Sequence, residues 1–298
     1  MMYLDSSKHV LIAEGLLLLH HLLRVLESGS GFAKEKACVV LHSLSFTKEN
    51  ARAIESRGGI SSLLEICEAV TPNSQAMAAS VLRNLASFTD TRNNFIEEDA
   101  ISVLLTLSVL AQDYSIACLS NLARDDDNLK LLIARKGAID CLRSFWDSAI
   151  RSFEVAVDLL RRFAGSVVTR KQEKNWGNTC VPPLIAMLEG KSVEEKQAAA
   201  KALSTILVCL GNRRIYKKEQ RGIASVVQLL DPTILNLDKK YPVSILMSLT
   251  HSKKCCKQIV DSGGLVYLQK LVELEVDGAK KLQETISHGK LWDVFARR

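Results

Sequence analysis

The side chains best suited to binding chemistry recur in pairs four residues apart, about every forty residues. Asparagine stands at Asn84 and Asn121, and its amide can both donate to and accept from the backbone of another chain. Arg162 and Lys201 follow, and both can form charge-assisted hydrogen bonds with carboxylate or phosphate groups. The six pairs are Val39/Ser43, Ser80/Asn84, Ala117/Asn121, Asp158/Arg162, Lys201/Thr205 and Ser244/Ser248.

Residue patterns typical of catalysis are missing from the sequence. There is no glycine-rich phosphate loop, no HExxH, no GxSxG and no cysteine–histidine spacing typical of a metal site. The 6 histidines are scattered, and the 8 cysteines contain no CxxC pair. We therefore expect reduced thiols in the cytoplasm or nucleus, and no catalytic residue, metal or cofactor.

Two landmarks show that the polar pairs belong to an internal repeat. An apolar residue after a small or glycine-containing pair recurs at Ile60, Ile101, Ile139, Val181, Ile223 and Leu265. A leucine-led motif recurs in phase at Leu41, Leu82, Leu119, Leu160, Leu203 and Leu246. A period near forty residues with this much regularity predicts an all-α solenoid in which each unit buries its apolar face against its neighbours.

Each unit divides into three helices by period and punctuation. In the second unit, a short polar segment over 49–56 ends at Gly58-Gly59, where glycine permits a sharp turn. An apolar helix over 60–70, a turn at 71–73 and a third helix over 75–87 follow. The expected units are 1–48, 49–90, 91–127, 128–167, 168–211, 212–251 and 252–289, with 290–298 as a cap or tail.

Two units depart from the pattern. The third lacks about one helical turn around 111–113, and the fifth has little apolar patterning over 165–179. In the fifth unit, Ser192 and Glu195 match a capping box that opens a helix over 194–210. Pro182-Pro183 is expected in the first turn of the preceding helix, where a missing amide donor costs little.

The sequence resembles armadillo-repeat proteins through copies such as Asn84-Leu85-Ala86, Asn121-Leu122-Ala123 and Gly263-Gly264-Leu265. The stretches 32–37, 56–64 and 278–282 are similar to plant armadillo-repeat-only proteins, which are related to the armadillo regions of plant U-box proteins. The resemblance implies a right-handed superhelical solenoid of about six three-helix repeats with a partial C-terminal repeat. It also implies a role in protein interaction.

In armadillo solenoids the third helices line a concave groove, so the resemblance makes the polar pairs a ladder along that groove. The predicted partner-binding residues are Ser80, Asn84, Asn121, Asp158, Arg162, Lys201, Thr205, Ser244 and Ser248. Armadillo importins pair such asparagines with tryptophans, but Ser80 and Ala117 occupy those positions here, so an import receptor is not expected. Arg162 and Lys201 favour an acidic or phosphorylated peptide. The alternative is a solvated face on which Asp158 pairs with Arg162 within one helix.

Charge is distributed unevenly along the chain. Residues 1–150 hold 14 Lys/Arg against 18 Asp/Glu, and residues 151–298 hold 25 against 15, which gives −4 and +10. The basic half fits a solvated helical surface, an acidic protein partner, or an anionic lipid or nucleic acid. Nucleic acid is not expected as the partner, and neither a signal peptide nor a membrane-spanning segment is indicated. Leu291, Trp292 and Phe295 in the tail form either a cap on the last apolar face or an exposed motif for a second partner.

The sequence therefore predicts a non-catalytic adaptor or scaffold, expected to be monomeric, that binds a peptide or helix of a partner in its groove. An alternative is the substrate-binding armadillo component of a U-box type ubiquitin-ligase system, although no U-box is present in this sequence. A weaker alternative is peripheral attachment to an anionic membrane through the basic half, which salt should abolish.

Overall fold

The protein consists of short α-helices joined by tight turns. The computed structural model describes residues 15, 17–68, 71–146, 153–166 and 176–295, and these residues contain no strand. The side chains of residues 143–144, 146, 153, 176 and 288–295 lie outside this description. The chain divides into two compact units, Met1–Cys141 and Leu142–Arg298. The predicted repeat boundaries remain predictions.

The first unit is built from three third helices lying side by side. α2, α5 and α8 pack in that order, and the shorter helix α4 packs against α5 and α7. The helices are α1 (17–28), α2 (Gly31–Leu44), α3 (Lys48–Glu55), α4 (Gly59–Cys67), α5 (Pro72–Leu85), α6 (Arg92–Glu97), α7 (Ala100–Leu105), α8 (Gln112–Leu122), α9 (Asp127–Ile133) and α10 (Ile139–Trp146). Small residues on α5, such as Ala78 and Ala79, are fully buried, which allows neighbouring helices to approach closely.

The second unit repeats this arrangement. α11, α13, α16 and α19 pack in that order, while α12, α15 and α18 form a parallel row beside them. The helices are α11 (Phe153–Gly165), α12 (Trp176–Leu188), α13 (Val193–Ile206), α14 (Leu210–Tyr216), α15 (Gly222–Leu229), α16 (Lys240–Leu249), α17 (Lys253–Asp261), α18 (Gly264–Glu273) and α19 (Ala279–Phe295). The second and third helices of each repeat thus pack against those of the next repeat, as the sequence period predicts. No helix in the described part of the chain is both long and apolar enough to span a bilayer.

Glycine pairs make the sharp turn between the first and second helices of a repeat. Gly58 has φ 73° and Gly263 has φ 81°, a left-handed conformation that favours glycine. At Gly59, the next residue, an added Cβ would lie 2.5 Å from Cγ2 of Ile54, so the turn packs directly onto the preceding helix. The third repeat makes the same turn without glycine, since Asp99 has φ 48°.

The shortening of the third repeat is confirmed, and it affects two helices. α7 has 6 residues where α4 has 9, and α8 has 11 where α5 has 14. The sequence predicts a turn over 71–73 before the third helix of the second repeat. This prediction is wrong in one detail, because that helix, α5, already begins at Pro72. Proline suits that first position because its missing amide hydrogen has no partner inside a helix.

The fifth repeat differs from expectation at its prolines. α12 begins at Trp176, so Pro182 and Pro183 lie within the helix rather than in its first turn. The early start is held by packing, because Gly177 is in close contact with Asn212 and leaves no room for a Cβ. The predicted cap of α13 is confirmed at Ser192, whose Oγ accepts a hydrogen bond from the Glu195 amide at 3.3 Å. α13 ends at Ile206, earlier than expected, because the chain turns into α14.

Candidate binding surface on the third helices

Three third helices of the second unit place the predicted polar residues on one face. α13 packs against α11 on one side and α16 on the other. Asp158, Lys201 and Ser244 stand at equivalent positions, 43 residues apart, on these three helices. On α13 the buried side is formed largely by alanines, whereas Lys201 is half-buried and Ser244 on α16 is exposed. We call the surface formed by Asp158, Arg162, Lys201, Thr205, Ser244 and Ser248 the groove face.

A cavity of ≈ 250 Å³ opens on the groove face between the three helices. Polar and aromatic groups form its walls, and Val157 and Ala198 add apolar surface. The other lining residues are Glu154, Asp158 and Arg161 from α11, Gln197 and Lys201 from α13, and Tyr241 from α16. The cavity thus brings together two of the predicted residues, Asp158 and Lys201.

Charge pairing within α11 decides which cation remains available. The Arg162 Nε and Nη2 atoms donate to Oδ2 of Asp158 at 2.9 and 2.8 Å, and Arg161 donates to Oδ1 at 2.8 Å. The ion pair between Asp158 and Arg162 within one helix, which the sequence allowed as the alternative, is therefore present. Lys201 differs, because its ammonium has no ion pair with any residue of the described chain. The cationic character of the groove face consequently rests on Lys201.

The turn before α16 fixes the position of Tyr241. The Asp238 amide donates to Oε1 of Gln197 at 2.6 Å, which ties this turn to α13. The Lys239 Nζ donates to the carbonyls of Leu229 and Asp231 at 3.1 and 2.5 Å. Burial lowers the pKa of Lys239, and the nearby Asp231 carboxylate opposes this shift. These bonds fix the turn that precedes Tyr241, which lines the cavity.

The remaining predicted residues of the groove face make local bonds. The Thr205 hydroxyl donates to the Lys201 carbonyl at 3.1 Å, and the Ser248 hydroxyl donates to the Ile245 carbonyl at 2.7 Å. These bonds lie within their own helices, so they restrict the hydroxyl rotation without using the side-chain oxygen as an acceptor. Ser244 is exposed. The three hydroxyls thus keep acceptor capacity on the groove face.

The asparagines of the first unit have partners in the preceding repeat. The Asn84 amide donates to Ser45 Oγ at 2.9 Å and to the His42 carbonyl at 3.2 Å. The Asn121 amide donates to the Arg83 carbonyl at 2.9 Å. Asn84 is 7% exposed, and Ser80 is 2% exposed with its hydroxyl bonded to the Met77 carbonyl. These amides join neighbouring third helices, and the structure gives Ser80 and Asn84 little accessible surface.

The predicted C-terminal motif is only partly described. Leu291, Trp292 and Phe295 belong to α19, and their side chains lie outside the described residues. Their role as a cap or a second motif stays a prediction.

Four polar or aromatic residues of the cavity were not predicted from the sequence: Glu154, Arg161, Gln197 and Tyr241. Glu154 and Gln197 each lie four residues before a predicted residue, so the same helix face extended by one turn would have included them. Tyr241 is three residues before Ser244, and its contribution depends on where α16 begins.

Comparisons with known proteins agree with this fold. A designed armadillo repeat protein is 17% identical and superposes with a TM-score of 0.66 over 78% of this chain and 99% of its own. A computationally designed armadillo repeat protein for modular peptide recognition is 20% identical, with a TM-score of 0.66 over 77% and 99%. A structure from work on a phosphorylation switch in the cadherin–beta-catenin interaction is 15% identical, with a TM-score of 0.70 over 91% of this chain and 55% of that one.

No protein-family model matches the sequence, and no curated protein matches it significantly. The structural likeness is at an identity that shows the fold alone. The fold is an all-α armadillo-repeat solenoid, as the sequence predicts.

Proposed function

We propose that this protein is a non-catalytic scaffold that binds an acidic or phosphorylated segment of a partner protein on the groove face of its second unit. The observation that carries the proposal is Lys201, a cation without an ion pair among the described residues, at the wall of the ≈ 250 Å³ cavity. A partner carboxylate or phosphate supplies the counter-charge that the chain itself does not. Charge-assisted hydrogen bonds of this kind are stronger than neutral ones.

The neighbouring residues support an extended segment rather than an isolated anion. Glu154 and Asp158 lie on the α11 side of the cavity, and Tyr241 lies on the α16 side. An acidic side chain is repelled by the α11 carboxylates, so it binds between Lys201 and Tyr241. The exposed hydroxyl of Ser244 on the same face then offers a hydrogen bond to the partner backbone.

Protein binding by proteins of this fold supports the proposal. One structural neighbour was designed for modular peptide recognition, and another comes from the cadherin–beta-catenin interaction and its phosphorylation switch. This likeness supports the coarse role of a protein-binding scaffold. Our proposal adds the acidic chemistry and the position at Lys201.

Peptide binding to the full chain tests the proposal. Immobilised peptides that differ only in their number of aspartate, glutamate and phosphoserine residues are probed with the wild type, Lys201→Glu and Lys196→Glu. Lys196 is the matched control, because it lies on α13 but lines a different cavity. We expect Lys201→Glu to weaken binding of acidic peptides about 10- to 100-fold, the equivalent of one charge-assisted hydrogen bond. Equal binding of neutral peptides, or equal losses in the two variants, would contradict the proposal.

The cellular location, the oligomeric state and the class of partner are part of the same proposal. A cytoplasmic or nuclear protein that acts as a monomer is expected, and fluorescence imaging with sedimentation of the purified chain tests both points. Affinity capture with wild type and Lys201→Glu then identifies the partner class. Ligase components lost selectively with the variant would favour the ubiquitin-ligase alternative.

A further inference from the structure

A second charged surface lies on the first helices of the second unit, and its cations are not residues of the groove face. We define the basic surface as six exposed cations of α14, α17 and the turn after α14: Arg214, Lys217, Lys218, Lys253, Lys254 and Lys257. None of the six forms an ion pair with the described part of the chain. Residues 208–221 hold five Lys/Arg against Glu219, and residues 251–263 hold three against Asp261. The surface is therefore strongly positive.

The two helices present these cations to the same side. Tyr216 and Ile259 are the fully buried anchors of α14 and α17. Arg214 and Lys257 each lie two residues before an anchor, about 200° around the helix and therefore opposite the core. The equivalent positions in two consecutive repeats thus both carry an outward cation.

The turn after α14 lies close to α17. Burial raises the pKa of Cys256 on α17, and the nearby Lys217 ammonium in the turn after α14 counteracts that rise. The guanidinium of Arg213 on α14 donates to the Ser248 carbonyl at 3.4 Å, which joins α14 to α16, the helix that precedes α17. The cations of both helices consequently form one surface.

Two large apolar side chains adjoin the cations. Leu210 is 67% exposed and Val208 is 60% exposed. Leu210 lies four residues before Arg214, so the two share one stripe of α14, and Lys217 directly after the helix continues that stripe. The surface is therefore cationic with an apolar edge.

This composition distinguishes between the classes of anionic partner. Protein interfaces are enriched in arginine and aromatic residues and depleted in lysine. Five of the six cations here are lysines, and Tyr216, the aromatic residue of the two helices, is buried. Lysine acts as a point charge that suits a diffuse anionic surface. Leu210 and Val208 gain nothing beside a nucleic-acid backbone, but they can enter the boundary between lipid headgroups and acyl chains.

From these observations we propose that the basic surface binds anionic phospholipid bilayers peripherally, with Leu210 and Val208 inserted at the headgroup level. The site is separate from the groove face and does not depend on the proposed peptide binding. A scaffold with both sites holds its protein partner at a membrane surface. Binding depends on salt, because it rests on exposed charges.

Vesicle sedimentation with the full chain tests this. Vesicles of phosphatidylcholine alone are compared with vesicles containing about 30% phosphatidylserine, a strongly anionic composition. The variant Lys217→Gln, Lys253→Gln, Lys257→Gln is matched with Lys191→Gln, Lys280→Gln, Lys281→Gln, which removes three exposed lysines elsewhere in the same unit. Each cation near such a surface contributes about fivefold, so the first variant should lose on the order of 100-fold in partitioning.

The outcomes separate the possible partners. We expect binding only with phosphatidylserine, its loss at high salt, a near-normal control variant, and weaker vesicle binding by Leu210→Gln. Absence of binding by the wild type at low salt, or equal losses in both triple variants, would overturn the proposal. So would tighter binding to double-stranded DNA or polyglutamate that is unaffected by Leu210→Gln. Circular dichroism melting of every variant excludes misfolding as the cause.

Discussion

Replacing Asn84 with alanine should destabilise the first unit, because its amide joins two repeats inside the protein. The amide donates to Ser45 Oγ and to the His42 carbonyl, and its oxygen accepts from Arg83 at 3.1 Å. Ser45 is fully buried, so these bonds are protected from water. Asn84→Ala removes all of them at once.

The expected loss in the free energy of unfolding follows from the bonds that are broken and from the groups that remain. A typical protein hydrogen bond contributes about 1 kcal/mol, and the two donated bonds therefore account for about 2 kcal/mol. Arg83 is half-buried and lies over the Tyr114 ring, so it can rehydrate at little cost. Ser45 and His42 remain bonded to each other in the variant, because the Ser45 hydroxyl donates to the His42 carbonyl at 2.9 Å. The total should therefore be about 2 kcal/mol and should stay below about 3 kcal/mol.

Urea unfolding followed by circular dichroism at the helical band measures this difference. Asn93→Ala is the matched control, because Asn93 is exposed on α6 and has no hydrogen bond from its side chain in the described structure. The control should change the free energy of unfolding by less than about 0.5 kcal/mol. If the two variants unfold at the same urea concentration, Asn84 does not join the repeats as argued. Its amide would then be available to a partner, as the sequence first suggested.

Two further predictions concern buried groups. Burial raises the pKa of Cys38 and of Cys67 to about 12. At about pH 8 a thiol reagent should therefore not modify these two cysteines until the protein unfolds. Mass spectrometry of the labelled protein checks this, and rapid labelling of either cysteine in the native protein would contradict it. The fast-reacting thiols should be two of the half-buried ones, Cys141 and Cys209. Tyr216→Phe should cost about 1–2 kcal/mol, since the buried Tyr216 hydroxyl donates to the Gly222 carbonyl at 2.6 Å and this bond would be lost. Thermal melting compares it with Tyr267→Phe, a half-buried control that should melt close to the wild type, and equal melting would refute the role of the bond.

The fold could be predicted because its signals are local in the sequence. Glycine at 58 and 59 and the apolar run after it define a turn and a helix within a few residues. The same signals recur with a period near forty residues, which leaves few architectures other than a helical solenoid. The left-handed turn at Asp99 shows the limit, because the backbone there follows the repeat although the residue gives no glycine signal.

The candidate site was predicted less completely because its chemistry depends on contacts between repeats. The spacing of Asp158 and Arg162 permits both an intrahelical pair and a free cation, and only the structure shows the pair. The partners of Asn84 lie 42 residues away at His42, and no local pattern indicates them. Tyr241 reaches the cavity through the bonds of the preceding turn, in particular the one between Asp238 and Gln197.

The bonds between repeats have a consequence for how the protein is made. Asn84 bonds back to His42, Asn121 to Arg83 and Ser225 to Glu189, with separations of 42, 38 and 36 residues. Each partner has therefore already been synthesised when the later residue leaves the ribosome. Contacts this close in sequence have a low entropic cost of closure. Repeats can thus be completed one after another during translation, and each newly exposed apolar face is covered by the repeat that follows.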